Sequence, residues 1–224
     1  MRISRTLAGP NMCMAAVSLA LMQSASALTV GDTWTWSAGS TPPGAFVIDT
    51  QGAVQVGLRA EHRLHGLWLG QPQWDAVAGK YVYTVPAGVS ESQPLNADPQ
   101  YAVWSFDFSI ITPIDSFFDV YMDIDVDPSA GTNFRQLGGG PFQGTWQDSW
   151  NMGMDFLQTS LGSFSFDPNA PGVYDFALTV IDRDDLSQVA RTEMRVNVVP
   201  DAGASFSLLG MALVGLWGLA RRTR

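Results

Sequence analysis

Apolar and polar residues alternate along most of this chain with a period of two. That is the mark of strands with one face buried, because successive side chains of an extended strand point to opposite sides. Val54, Val56, Leu58 and Ala60 alternate with Gln55, Gly57, Arg59 and Glu61, and Ala102, Trp104, Phe106, Phe108 and Ile110 alternate with Val103, Ser105, Asp107 and Ser109. Phe118, Val120, Met122, Ile124 and Val126 form an apolar row opposite Asp119, Tyr121, Asp123 and Asp125. Near the end, Tyr174, Phe176, Leu178 and Val180 are matched by Thr192, Met194, Val196 and Val198 across a loop at 182–188, which predicts a closing hairpin. Shorter strands are expected at 33–36, 45–49, 64–69 and 80–85.

Turn-forming clusters such as Ser40-Thr41-Pro42-Pro43-Gly44, Asn96-Ala97-Asp98-Pro99 and Asp167-Pro168-Asn169-Ala170-Pro171-Gly172 separate these runs. Many short strands with such punctuation predict an all-β fold, an antiparallel β-sandwich of Ig-like or jelly-roll-like type. One interruption is expected at 145–161. There Trp146, Trp150, Met154, Leu157 and Leu161 recur at helical spacing after the break Gly138-Gly139-Gly140-Pro141, which predicts one short helix.

Both ends of the chain break the alternation. Residues 1–27 combine Arg2 and Arg5, an apolar stretch at 12–22 and the small residues Ala25 and Ala27 around Ser26, the anatomy of a secretory signal peptide cleaved after Ala27. At the other end, Val199-Pro200-Asp201-Ala202-Gly203 precedes an uncharged, mostly apolar run at 204–220 and the cluster Arg221-Arg222-Thr223-Arg224. At 1.5 Å per residue that run reaches about 25 Å as a helix, enough to serve as a short transmembrane span in the inner membrane. The arginines then stay in the cytoplasm, which puts the 28–198 domain outside it.

This tail resembles the PEP-CTERM class of bacterial sorting signals. Val199-Pro200-Asp201-Ala202-Gly203 looks like its VPDSG variant, with Ala202 where serine is usual. The resemblance implies an exosortase-type processing protease as partner, cutting near the motif and delivering the ectodomain to the cell surface or matrix, often alongside exopolysaccharide. Several pieces of the domain, among them Trp104-Ser105-Phe106-Asp107-Phe108 and Asp148-Ser149-Trp150-Asn151-Met152-Gly153, resemble uncharacterised surface proteins of the same class. That likeness implies location and a sandwich fold but carries no catalytic residues.

Charge narrows the partners. Of 12 Lys and Arg, the five at the two ends set aside leave 7 against 21 Asp and Glu, a balance of −14 between Arg5 and Arg221. So acidic a domain is unsuited to nucleic acid or anionic membrane, which select basic patches. The single cysteine, Cys13, lies in the leader, so the domain has no thiol chemistry.

Candidate chemistry is sparse. Asp123, Asp125 and Asp127 share one strand face at about 6.5–7 Å intervals, where like charges repel unless bridged, so they are the candidate calcium ligands. They lack the glycine and distal glutamate of an EF-hand loop, and the competing reading is a solvated face that blunts a sheet edge. His62 and His65, three apart, point to opposite faces of a strand and cannot chelate together. No Gly-x-Ser-x-Gly, His-Glu-x-x-His or phosphate loop is present. Tryptophan is abundant, with Trp104 and Trp150 assigned to the core and Trp34, Trp36, Trp68 and Trp74 left open as sugar-stacking candidates. The expectation is an exported, non-enzymatic surface or matrix protein without a cofactor. The alternative is a carbohydrate-binding or carbohydrate-modifying domain, which requires exposed aromatics beside convergent polar groups.

Overall fold

The computed structural model describes residues 27–31, 45–63, 71–91 and 100–200. Two sheets form an all-β, sandwich-like fold. The first contains β1 (Thr29–Gly31), β2 (Phe46–Gln51), β3 (Val54–His62), β6 (Trp104–Ile111) and β9 (Thr145–Trp150), in the order β1-β2-β3-β6-β9. The second contains β4 (Gln73–Asp75), β5 (Lys80–Pro86), β7 (Phe118–Asp125), β8 (Phe134–Phe142), β10 (Gly172–Asp182) and β11 (Gln188–Val199), in the order β4-β5-β11-β10-β7-β8. A seven-residue helix, α1 (Asp155–Leu161), lies between β9 and β10.

Strict alternation sets the register wherever one face must be buried, since a one-residue slip would turn every apolar side chain outward. The closing hairpin forms with the expected faces inward, but its register is two residues from the set matched in the sequence: Phe176 pairs with Met194, Tyr174 with Val196, Leu178 with Thr192 and Val180 with Ala190 rather than Thr192. The β2–β3 turn needs only two residues, and Gly52 takes its first position at φ 59°, where a side chain would be strained. The layers meet over β3, which faces β11, β10 and β5 across the core. Trp104, Phe106, Phe108, Phe176, Leu58 and Val196 fill this space and are almost wholly shielded from water. Polar groups tie the layers as well. Thr192 Oγ1 donates to the Val47 carbonyl at 2.8 Å, the Arg191 amide donates to Asp49 Oδ2 at 2.9 Å, and the Tyr83 hydroxyl donates to the Ala45 carbonyl.

Four features depart from the sequence pattern. The sandwich is not wholly antiparallel, because β5 runs parallel to β11 from Tyr81 opposite Met194 to Pro86 opposite Val199. Residues 145–150 form a strand rather than the start of a helix. A spacing of four returns a side chain to the same face in both a strand and a helix, so Trp146 and Trp150 fitted either, and only Leu157 and Leu161 are buried helical positions. The glycine-rich 138–141 stretch is inside β8 rather than a break. Gly138 sits at a bulge against β7 with φ 102°, and a Cβ there would fall 2.2 Å from the Val120 carbonyl oxygen, so close approach of the two backbones demands glycine. Finally β6 is buried on both faces, with Ser105, Asp107 and Ser109 as shielded as the aromatics between them.

The strands expected at 33–36 and 64–69, His65, Trp34, Trp36 and Trp68 lie outside the described residues. So do Ala25 and the rest of the leader before Ala27, the motif residues Asp201, Ala202 and Gly203, the 204–220 span and the terminal arginines. No helix among the described residues is long and apolar enough to cross a membrane.

Candidate functional site

The three aspartates proposed as calcium ligands are each engaged separately. Asp123 accepts a hydrogen bond from Gln136 Nε2 at 2.9 Å and lies 3.4 Å from Arg191 Nη1. Asp125 Oδ1 accepts the Asp127 and Asn133 amides at 3.1 and 3.0 Å, closing the β7–β8 connection. Burial pushes the Asp125 carboxyl upward, against the pull of those amides. Asp127 caps the Ser129 amide at 2.9 Å. Among the described residues no three His, Cys, Asp or Glu side chains gather as metal ligands would.

The polar face of the second sheet is a lattice of ion pairs rather than a loose solvated surface. Asp175, only 1% exposed, receives Arg195 Nε and Nη2 at 2.8 and 2.9 Å, Lys80 Nζ at 3.1 Å and Thr132 Oγ1 at 2.7 Å. Burial by itself would raise its pKa, but these donors outweigh it and bring the carboxyl down to about 2. Arg191 extends the lattice to Glu193 at 2.6 Å.

Among the described residues, two places offer a ligand more than a flat surface. The first is an open groove of about 500 Å³ at one end of the sandwich, between the β6–β7 connection and the β10–β11 hairpin. Asp115, Ser116 and Phe117 line one side of it, and Asp182, Arg183 and Asp184 line the other. The hairpin side is held by the Asp184 amide on Asp182 Oδ1 at 2.8 Å and by Arg183 Nε on Asp119 Oδ1 at 3.2 Å. Phe117 is 56% exposed and stands beside these polar groups. The second is an apolar notch of about 50 Å³ between the sheet edges β8 and β9, walled by Trp146, Trp150, Leu137 and Met122.

The tryptophans sort partly as expected, with Trp104 in the core and Trp150 packed against it but only half-buried. Trp74 and Trp146 are exposed. Trp146, Trp150 and Phe156 stand edge to face, at 67° and 76° between successive rings, so this stripe does not present the coplanar platform that a sugar face needs. The groove around Phe117 was not singled out in the sequence. Its halves come from two distant loops of ordinary turn composition, and the only local hint was an aromatic at 117 directly after two polar residues. His62 turns its Nδ1 to the Arg63 carbonyl at 3.0 Å.

No protein-family model matches this chain, and no curated protein matches it.

Proposed function

We propose that this chain is an exported, non-enzymatic protein of the cell surface or extracellular matrix, held first by its C-terminal span and then processed by an exosortase-type protease at 199–203. The observation that carries this reading is the three-part tail, and the end of β11 gives it a mechanical sense. β11 stays paired with β5 through Val199, whose carbonyl accepts the Ala87 amide at 2.7 Å. Pro200 has no amide hydrogen and ends the ladder at the second residue of the motif. A protease working at the membrane therefore meets, directly before the motif, the end of an interior strand held between β5 and β10. Cleavage before Val199 would require unzipping β11, so mass spectrometry of the surface fraction should find a C-terminus within 199–203. Intact Arg224 in that fraction would count against the proposal. Within the sandwich class, chain crossings between sheets at 112–117 and 143–144 are connections that an Ig-like or jelly-roll-like fold uses.

A second reading, carbohydrate binding, is favoured by the groove at Phe117. An aromatic ring packs on the C–H face of a sugar, while the Asp115, Asp182 and Asp184 carboxylates accept hydroxyl hydrogens and Arg183 donates. The groove volume falls in the range typical of small-ligand sites, roughly 300–1,000 Å³. If the groove binds host polysaccharide, Phe117→Ala should weaken retention on an affinity gel by about tenfold, the scale of one lost aromatic contact. No retardation of the unaltered protein would leave the purely structural reading.

A further inference from the structure

The outward face of β3 and β6 carries a charge cluster that the ion-pair lattice of the other sheet does not resemble. Arg59 donates from Nε to Asp107 Oδ2 at 2.7 Å and from Nη2 to Glu61 Oε2 at 3.3 Å. Ser149 Oγ on β9 reaches Glu61 Oε1 at 3.4 Å, and the Arg59 guanidinium lies 4.6 Å from the centre of the Phe46 ring. The Arg59 and Asp107 side chains are 4% and 0% exposed, and that of Glu61 is 25% exposed. Among the described residues Asp107 Oδ1 is buried with no hydrogen bond of good geometry, although the Ser149 hydroxyl and the Glu61 carboxyl lie close to the Asp107 carboxyl.

Among the described residues the charges do not balance if both carboxylates are ionised, since one buried guanidinium then faces two anions, Asp107 wholly shielded and Glu61 only a quarter exposed. A net buried charge is costly, and so is a buried acceptor left without a donor. One added proton removes both problems. Placed on a carboxyl oxygen of Glu61, it turns the repulsion between neighbouring carboxylates into a hydrogen bond to Asp107. We propose that Glu61 and Asp107 hold one proton between them at neutral pH, and that its release is a pH-responsive latch on this face of the sandwich.

The surroundings agree. Burial, and then the negative charge of Asp107, push Glu61 from the ordinary 4.5 up to about 7, and burial raises Asp107 as well despite the pull of Arg59. Among the described residues, the other charged and titratable groups around the pair do not replace the proton. Arg63, just past the end of β3, lies over the Tyr101 ring at 4.8 Å, and burial lowers its pKa while Tyr101 and Glu61 raise it. Tyr83 on β5 approaches from the core side, where burial keeps its hydroxyl protonated. β2 presents the Phe46 ring, and β9 presents Gln147 and Ser149 on this face, with Asp148 turned to the opposite face against Trp150 Nε1 at 3.0 Å.

The direction of the pH effect follows. Above pH 4.5 the unfolded chain has lost the Glu61 proton, while the native state keeps it up to about pH 7. The native state binds more protons throughout that window, so stability falls as pH rises through it and levels off above. Urea unfolding of the full chain in mild detergent at pH 5 and pH 8 should show the folding equilibrium constant dropping by roughly a hundredfold more in the unaltered protein than in Glu61→Gln. Glutamine keeps a hydrogen-bond donor toward Asp107 but cannot titrate. A ¹³C NMR titration of the Glu61 carboxyl in the unaltered protein gives a second readout that does not require the variant to fold. Titration near neutrality supports the latch. Titration in the ordinary carboxylate range, or an unchanged pH slope in Glu61→Gln, overturns it.

Discussion

Replacing Arg59 with leucine is expected to destabilise the protein by about 3–5 kcal/mol, the cost of breaking a buried ion pair from one side. Total stabilities of about 5–15 kcal/mol make that a large loss, close to unfolding for a marginal domain. The reason lies in what remains. Asp107 is 0% exposed, and without Arg59 it keeps, among the described residues, an oxygen with no hydrogen bond of good geometry and no opposing charge beside Glu61. Two further variants separate this cause from simple loss of packing. Removing both charges, as Arg59→Leu with Asp107→Leu, should recover much of the loss, because apolar replacement of a whole buried pair is often neutral or better. Arg59→Lys should recover only part of it, since an ammonium cannot reproduce the fork that spans Asp107 and Glu61. Urea titrations followed by tryptophan fluorescence provide the comparison, with Trp104 buried in the core as a reporter. In Arg59→Leu the native Asp107 should take up a proton more readily, so the loss should shrink as the pH is lowered. A loss below about 1 kcal/mol would match an exposed pair instead and contradict the burial argument.

The strands with unbroken alternation were legible because their physics is local. β7, β10 and β11 each carry an apolar row on one face, and a one-residue slip in any of them would expose that row, so pattern alone specified which face is buried. A two-residue slip keeps the faces, which is why the observed pairing of Phe176 with Met194 lies two residues from the matched set. β8 was not legible, because Gly138 answers to a carbonyl of β7 that no local pattern reveals. The parallel partnership of β5 with β11 was hidden for the same reason, since partner choice is decided across the chain rather than within a strand. The Arg59–Asp107 pair was hidden differently. Alternation reports polarity, and a polar position on a strand reads as solvated whether water or an opposite charge satisfies it. The available signal was that polar positions of two strands, β3 and β6, carried opposite charges, Arg59 and Asp107, at places where the apolar rows were already complete. The same ambiguity covers Asp123, Asp125 and Asp127. Equal spacing suggested convergence, but each carboxylate is claimed by a different neighbour, and Asp127 follows the end of β7.

Two adjacent substitutions on β11 should both be severe, for opposite reasons. From alternation alone, Met194→Asp is expected to cost several kcal/mol and Arg195→Asp little, because the first faces the core and the second faces out. The first half of that expectation stands on the structure. Met194 is wholly buried, opposite Phe176 on one side and Tyr81 on the other, so an aspartate there has no partner. The second half is overturned by Asp175. Arg195 grips that buried carboxylate with two nitrogens at 2.8 and 2.9 Å, so aspartate at 195 would withdraw its main counter-charge and set a like charge directly opposite across the ladder. Lys80 and Thr132 remain on Asp175, which limits the loss to about 2–3 kcal/mol rather than the full cost of an isolated buried charge. Denaturant titration of both variants checks the magnitudes, and a background substitution distinguishes the causes. Asp175→Asn removes the opposing charge, so it should restore part of the loss in Arg195→Asp and none in Met194→Asp. If Arg195→Asp instead stays within about 0.5 kcal/mol of the parent, as an ordinary surface change does, the guanidinium is solvated and the lattice around Asp175 contributes nothing to the fold.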